Sequence, residues 1–163
     1  MHWVAVNTKP HREKQAEMFI RQCGVECFLP LIKESKIIRR VRKTVVSPLF
    51  PGYLFARLDP MRHCRVVKYA RGVRNVVEFG SSVAIIDDYI LDSIRSRLVN
   101  DILTVPKDSF RIGQVLRIGY GPLEGLEAVF ERKLSGPQRV VLLLQAIKFQ
   151  ARLIVPLKLV SNE

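Results

Sequence analysis

Residues 48–56 read Pro48-Leu49-Phe50-Pro51-Gly52-Tyr53-Leu54-Phe55-Ala56. Proline has no amide to give to a ladder, so a strand is expected to start only after Pro51. Along that strand Tyr53 and Phe55 share one face, and Leu54 takes the other. Both faces are apolar. One must pack on helices, and the other reads as core or as an interface.

On the N-terminal side, Trp3-Val4-Ala5-Val6 reads as a short strand. From Pro10 to Cys23 the period becomes helical, with Ala16, Phe19, Ile20 and Cys23 on one stripe and Gly24 as the stop. Val25–Ile32 reads as a second strand. Lys33–Lys43 then carries six cations against Glu34, before Val45-Val46 resumes strand character, so the basic run is expected at the tip of a long hairpin. Beyond the opening stretch, Pro60 starts a helix to Tyr69. Arg71-Gly72-Val73 turns into a strand at Val76–Gly80, and Asp87-Asp88 opens a helix burying Ile90, Leu91, Ile94 and Leu98. This order predicts an α+β unit over residues 1–99, an antiparallel sheet with flanking helices. Residues 100–109, with Pro106, read as a linker. Residues 110–163, with short strands punctuated by Gly119–Pro122 and Gly136-Pro137, read as a small β-barrel.

Residues 140–154 fit two periods. Val140, Leu143, Leu144, Ile147, Ala151 and Ile154 form a helical stripe, while Phe149, Ala151, Leu153 and Val155 alternate as in a strand. The alternation over 148–153 makes strand the expected state.

The chain has 163 residues, 48% of them hydrophobic, and a formal net charge of +12. It can build a core, so it is not a basic disordered tail. It has no apolar run of about 18 residues as a membrane helix needs, nor a secretory signal, so a cytoplasmic location is expected. Residues 1–98 hold 18 Lys/Arg against nine Asp/Glu, which points the N-terminal part toward a polyanion. The cations cluster on Lys9–Arg21 (with Arg12 and Lys14), on Lys33–Lys43 (with Arg39, Arg40, Arg42 and Lys43), and on Arg71–Arg74.

Catalytic signals are absent from the sequence. Cys23, Cys27 and Cys64 lack metal-ligand spacing and read as small apolar core residues in a reducing compartment. His2, His11 and His63 have no nucleophile or carboxylate at motif spacing, and there is no phosphate-binding loop, dinucleotide fingerprint or nucleophile elbow. A binding protein without cofactor, metal or catalytic residues is expected.

Three stretches together resemble the N-terminal domain of NusG-type transcription elongation factors: Trp3–Val6, the PLFPGYLF run of 48–55, and Arg71-Gly72-Val73 running to Phe79-Gly80. Gly113–Arg117 followed by Gly121-Pro122-Leu123-Glu124-Gly125 looks like a KOW motif. The basic hairpin and the Leu142–Leu144 run make the chain more similar to RfaH-like specialised paralogs.

The resemblance implies a monomeric antitermination factor that sits on RNA polymerase and suppresses pausing. Phe50, Tyr53 and Phe55 match the apolar patch for the polymerase clamp. His63, Cys64 and Arg65 stand where the paralogs carry a His-Thr-Thr triplet for the opposite lobe, and His63 matches it. The paralogs read the non-template DNA strand with the first helix and the Arg-Gly-Val turn. Lys9 and Arg71 match, while Phe19 and Gln22 stand where basic or His residues would be.

The resemblance also implies that the KOW domain contacts a small-subunit ribosomal protein as a barrel, or alternatively packs on the N-terminal domain as a helical hairpin that masks the clamp patch. In autoinhibited relatives a carboxylate before PLFP pairs with a KOW arginine. Arg139 matches that arginine as the interdomain residue, but Ser47 stands at the carboxylate, so a barrel is the expected resting form. An RNA-binding ribosomal or ribosome-assembly protein would share the charge and the KOW barrel but not the order of 1–98, and a small nucleic-acid enzyme would need a carboxylate or metal-ligand constellation.

Overall fold

The computed structural model describes residues 1–105, 111–118, 127–129, 134–149 and 160–161. In chain order the elements begin with β1 (His2–Thr8), α1 (Glu13–Gln22), β2 (Glu26–Phe28), β3 (Leu31–Ile38), β4 (Val41–Pro48) and β5 (Tyr53–Leu58). There follow α2 (Pro60–Tyr69), β6 (Val73–Val76), β7 (Glu78–Phe79), β8 (Ser82–Val83), β9 (Ile85–Ile86), α3 (Asp88–Arg95) and β10 (Ile102–Thr104). The C-terminal elements are β11 (Val115–Ile118), β12 (Glu127–Val129), α4 (Gly136–Phe149) and β13 (Val160–Ser161).

The main sheet has the order β2-β5-β1-β6, with β9 also on β1, and all of these pairs are antiparallel. Its two central strands are apolar on both faces, and the alternation of side chains sends them to two separate cores. Val4, Val6, Leu54, Ala56 and Leu58 join Ala16 and Ile20 of α1 and Val67 of α2. Trp3, Ala5 and Phe55 join Leu91 and Ile94 of α3, together with Leu143 and Ile147 of α4. The expected antiparallel sheet with flanking helices is therefore present, with helices on both faces. The expected opposition of Leu54 to Tyr53 and Phe55 holds.

The ends of the helices follow local chemistry. Asp59 caps α2 by accepting the Met61 amide (3.0 Å), with Pro60 in the first turn. The first helix starts later than Pro10: His11 is left-handed (φ 58), and the first regular helical residue is Glu13. Arg95, in the last turn of α3, lies over both Trp3 (4.6 Å) and Phe28 (4.7 Å) and 3.6 Å from Glu26. Each such cation–ring contact adds about 0.5–2 kcal/mol.

Three expectations are corrected. Residues 102–104, read as part of a linker, form a strand parallel to β3, with Leu103 opposite Ile32. The pairing supplies the edge of β3 with partners, an effect of tertiary contact that local sequence does not carry. Cys23, read as core, is exposed just past the end of α1, whereas Cys27 is buried and Cys64 half-buried. Residues 140–149, expected as strand, belong to α4. The barrel expected over 110–163 is represented by β11 paired with β12 and β13, and no closed barrel occurs among the described residues. The KOW stretch Gly121–Gly125, linker residues 106–109 and the alternation over 150–153 lie outside the described residues.

Gly72 sits at φ +91, and a Cβ there would lie 3.0 Å from the Ala16 amide nitrogen and 3.2 Å from the Arg12 carbonyl oxygen. Both are backbone atoms that cannot rotate away. Gly72→Ala is expected to lower the unfolding free energy by about 1–3 kcal/mol in a denaturant titration. Burial pushes the Cys27 thiol up to about 12. In the folded chain at mildly alkaline pH, an alkylating reagent is expected to modify Cys23 and spare Cys27, read by peptide mass spectrometry.

Candidate functional site

The loop from Pro48 to Gly52 is held from three directions. The Leu49 amide donates to the Pro30 carbonyl (2.8 Å), and the Tyr53 amide closes a turn onto the Phe50 carbonyl (3.0 Å). In that turn Pro51-Gly52 occupies the central positions, with Gly52 at φ +79, the arrangement a type II turn favours. The Gly52 amide donates to Glu13 Oε1 (2.8 Å), and its carbonyl accepts from Thr8 (2.8 Å). Glu13, a buried carboxylate in the first turn of α1, thus fixes the loop that leads into Tyr53.

Phe50 and Phe55 meet edge to face at 5.9 Å, and Phe28 stacks on Phe55 at 5.9 Å. Phe50 and Phe55 are fully buried in this arrangement, and Tyr53 is half-buried at the border. Helix α4 closes the patch. Leu143 and Ile147 are buried in the same cluster, with Val140 and Leu144 packed beside them, so the helical stripe faces the patch.

Two local features explain why this segment is helical. At Ser135-Gly136-Pro137-Gln138 the return half of a capping box is present: the Gln138 side-chain oxygen accepts the Ser135 amide (2.9 Å) and hydroxyl (3.1 Å). The stripe also has an apolar partner. Arg139 then fastens the first turn, donating from Nε to the Leu49 carbonyl (2.7 Å) and from Nη1 to the Leu134 carbonyl (2.8 Å). Burial lowers the pKa of its guanidinium, which Glu34 partly opposes. Arg139 therefore contacts the stretch the resemblance implied, through a carbonyl and not a carboxylate. Gly136 lies against Pro51 so closely that a Cβ would come within 2.7 Å of its ring.

The cations fall into two groups. Lys9, Arg12 and Lys14 are exposed around the start of α1, and the Lys9 amide donates to the Gly72 carbonyl (2.8 Å). That bond and the close approach of Gly72 to Ala16 bring Arg71 against the same end of α1. Arg74 is exposed on β6, the strand beside β1. Arg39, Arg40, Arg42 and Lys43 are exposed on the β3–β4 hairpin, apart from this group.

On α2, His63 Nδ1 accepts the Asp59 amide (3.1 Å), so one face of its ring is committed to the helix start. Cys64 packs against the core under α1 and α2, and Arg65 is exposed. Sequence reasoning missed Glu13 and Gln138 as contributors to the patch, while Leu143 and Ile147 stand on the helical stripe of the alternative, masked arrangement. The Ser135–Gln138 spacing was a readable signal for Gln138; Glu13 had none.

Among the described residues no group of His, Cys, Asp and Glu is placed to hold a metal ion. No helix among them is long and apolar enough to cross a membrane.

Solved structures to which the chain is similar include "Domain interaction in Thermotoga maritima NusG", at 20% identity and a TM-score of 0.46, covering 80% of this chain and 79% of that one. The "MjSpt4:Spt5 complex conformation A" matches at 16% identity and a TM-score of 0.33, covering 80% of this chain and 76% of that one. The family described as "Transcription termination factor nusG" matches residues 1–95, more than half of the sequence. The chain belongs to the NusG family of transcription factors.

Proposed function

We propose that this protein is a transcription elongation factor of the RfaH-like kind, which docks on the clamp of RNA polymerase through the face carrying Phe50, Tyr53 and Phe55 and suppresses pausing and termination. The observation that carries this reading is the cover on that face. An aromatic surface buried under a helix of the same chain, and fastened by one arginine, has the build of a docking site kept shut until a partner takes it. Aromatic anchors supply large contact area at low entropic cost, which suits such a site. His63, Cys64 and Arg65 on α2 serve a second contact, with the opposite lobe.

Lys9, Arg12, Lys14, Arg71 and Arg74 guide the displaced non-template DNA strand, as an electrostatic groove does for single strands. Arg39, Arg40, Arg42 and Lys43 form a further nucleic-acid contact. A domain over 1–99, extended by β10 on the edge of β3, precedes a KOW domain over 110–163. Release of α4 frees residues 140–149, whose dual period permits strand, to join β11, β12 and β13 in a barrel that contacts a small-subunit ribosomal protein and couples transcription to translation. Two packings within a few kcal/mol of each other make such a change reachable.

Loss of the Arg139 side chain removes its bond to the Leu49 carbonyl, a contact of a charged donor worth about 1.5–3 kcal/mol. Arg139→Met is therefore expected to raise the affinity for core RNA polymerase about tenfold or more, while Tyr53→Ala lowers it. Titration of labelled protein with polymerase checks both, and equal affinity of Arg139→Met and wild type would contradict a closed resting state. Lys9→Ala and Arg71→Ala are each expected to weaken recruitment to paused complexes and to reduce the slope of log affinity against log salt by about 1. Recruitment unchanged across the salt titration would remove the single-strand assignment.

A further inference from the structure

The β3–β4 hairpin is a second charged surface, and its construction differs from that of the α1 group. The strands pair from Leu31↔Pro48 to Ile38↔Val41, but only the base is covered. Ser35 through Thr44 are exposed on both strands, so the distal half stands free as a two-stranded ribbon. Alternation divides its charges: Lys36 and Lys43 share one face, Arg42 lies on the other, and Arg39 and Arg40 form the tip.

Two features act against the stability of the free ribbon. Lys36 faces Lys43 directly across the pair, an arrangement of like charges that destabilises a sheet. A single bond from Lys36 to Glu34 (2.9 Å) offsets part of it. The two-residue turn also places Arg39 (φ 50) and Arg40 (φ 63) in the left-handed region, where Asn-Gly is the favoured pair. A polyanion relieves the first conflict and uses the second, because the turn projects two guanidinium groups from one point. Ile37 (72% exposed) and Val41 (54% exposed) add apolar edges close to the tip.

The shape selects the polyanion. Single strands are held by a charged groove that follows one backbone, commonly with aromatic stacking, whereas this ribbon divides its cations between two faces and residues 31–48 contain no aromatic side chain. A ribbon with cations on both faces is matched by a groove with phosphates on both walls. The major groove of B-form DNA is about 12 Å wide and admits a two-stranded β-ribbon. The major groove of duplex RNA is too deep and narrow for side chains to read.

We propose that the β3–β4 hairpin is a binding element for double-stranded DNA, entering its major groove tip first, at a surface separate from the single-strand site around α1. The inference rests on the reading of this protein as one that works on DNA, yet it concerns a different ligand and needs no polymerase to be tested.

The test is fluorescence anisotropy of the full chain with a short DNA duplex, one of its strands alone, and the RNA duplex of the same sequence, over a salt series. The double variant Arg39→Asn with Arg40→Gly removes two cations while giving the turn its favoured residues, so the hairpin stays formed; the thermal midpoint checks this. Its duplex-DNA affinity is expected to fall about tenfold, with the salt slope reduced by about 2 and single-strand affinity unchanged. Lys9→Ala with Arg71→Ala is expected to do the reverse. Unchanged duplex affinity in the hairpin variant, an equal loss on the single strand, or wild-type binding to duplex RNA as tight as to duplex DNA would each overturn the proposal. Hairpin-dependent duplex binding in a protein that fails to associate with polymerase would sustain this inference and defeat the polymerase reading alone.

Discussion

The structure depends on one constraint: its central strands are apolar on both faces, so the sheet must be covered twice. Val4, Val6 and Leu54 require one cover, and Trp3, Ala5 and Phe55 require another. Local chain supplies the first, because α1 and α2 flank the strands they pack on. The second cover is built from distant pieces. Helix α3 and the short β10 shield the part beside Trp3 and Phe28, while the part beside Phe50 and Phe55 is left to α4, far along the chain.

That division sets the character of the two sides. On the α1/α2 side the contacts are short in sequence and continuous with the turns that produce them. On the other side a single helix buries Leu143 and Ile147, a gain of about 1.5–3 kcal/mol for each side chain, against the entropy of ordering that helix. Its attachment at Arg139 uses backbone carbonyls, groups that every sequence offers. The attachment therefore depends on the position of the Leu49 carbonyl, which the Pro51-Gly52 turn and Glu13 hold in place.

Much of this was legible from residues. The strand at Trp3–Val6, the helix at Pro60–Tyr69 and the parity of Tyr53, Leu54 and Phe55 follow from periodicity and proline placement. The late start of α1 did not: the left-handed His11 delays the helix to Glu13, next to a Lys9 amide bonded to the Gly72 carbonyl. Strand β10 is three residues long, and only the exposed edge of β3 gives it a reason to exist. Residues 140–149 carry two periods, and the alternation over 148–153 points to strand; the Gln138 side chain bonded back to Ser135 is the local signal for helix. For the site, the basic residues and the aromatic stretch were readable by type. Their grouping was not, because the bond from Lys9 to Gly72 and the one from Glu13 to Gly52 join segments far apart in sequence.

The cover over the aromatic patch is part of the same molecule as the patch. Strand β10 ties the chain down at the base of the hairpin, where the Val105 amide meets the Lys33 carbonyl (3.0 Å), and α4 follows from that anchor. Re-closure after release is therefore a first-order event whose rate does not change on dilution. Any molecule that competes for Phe50 and Tyr53 does so bimolecularly and is penalised as its own concentration falls. At a given free concentration of that competitor, the fraction of open molecules is then independent of how much of this protein is present.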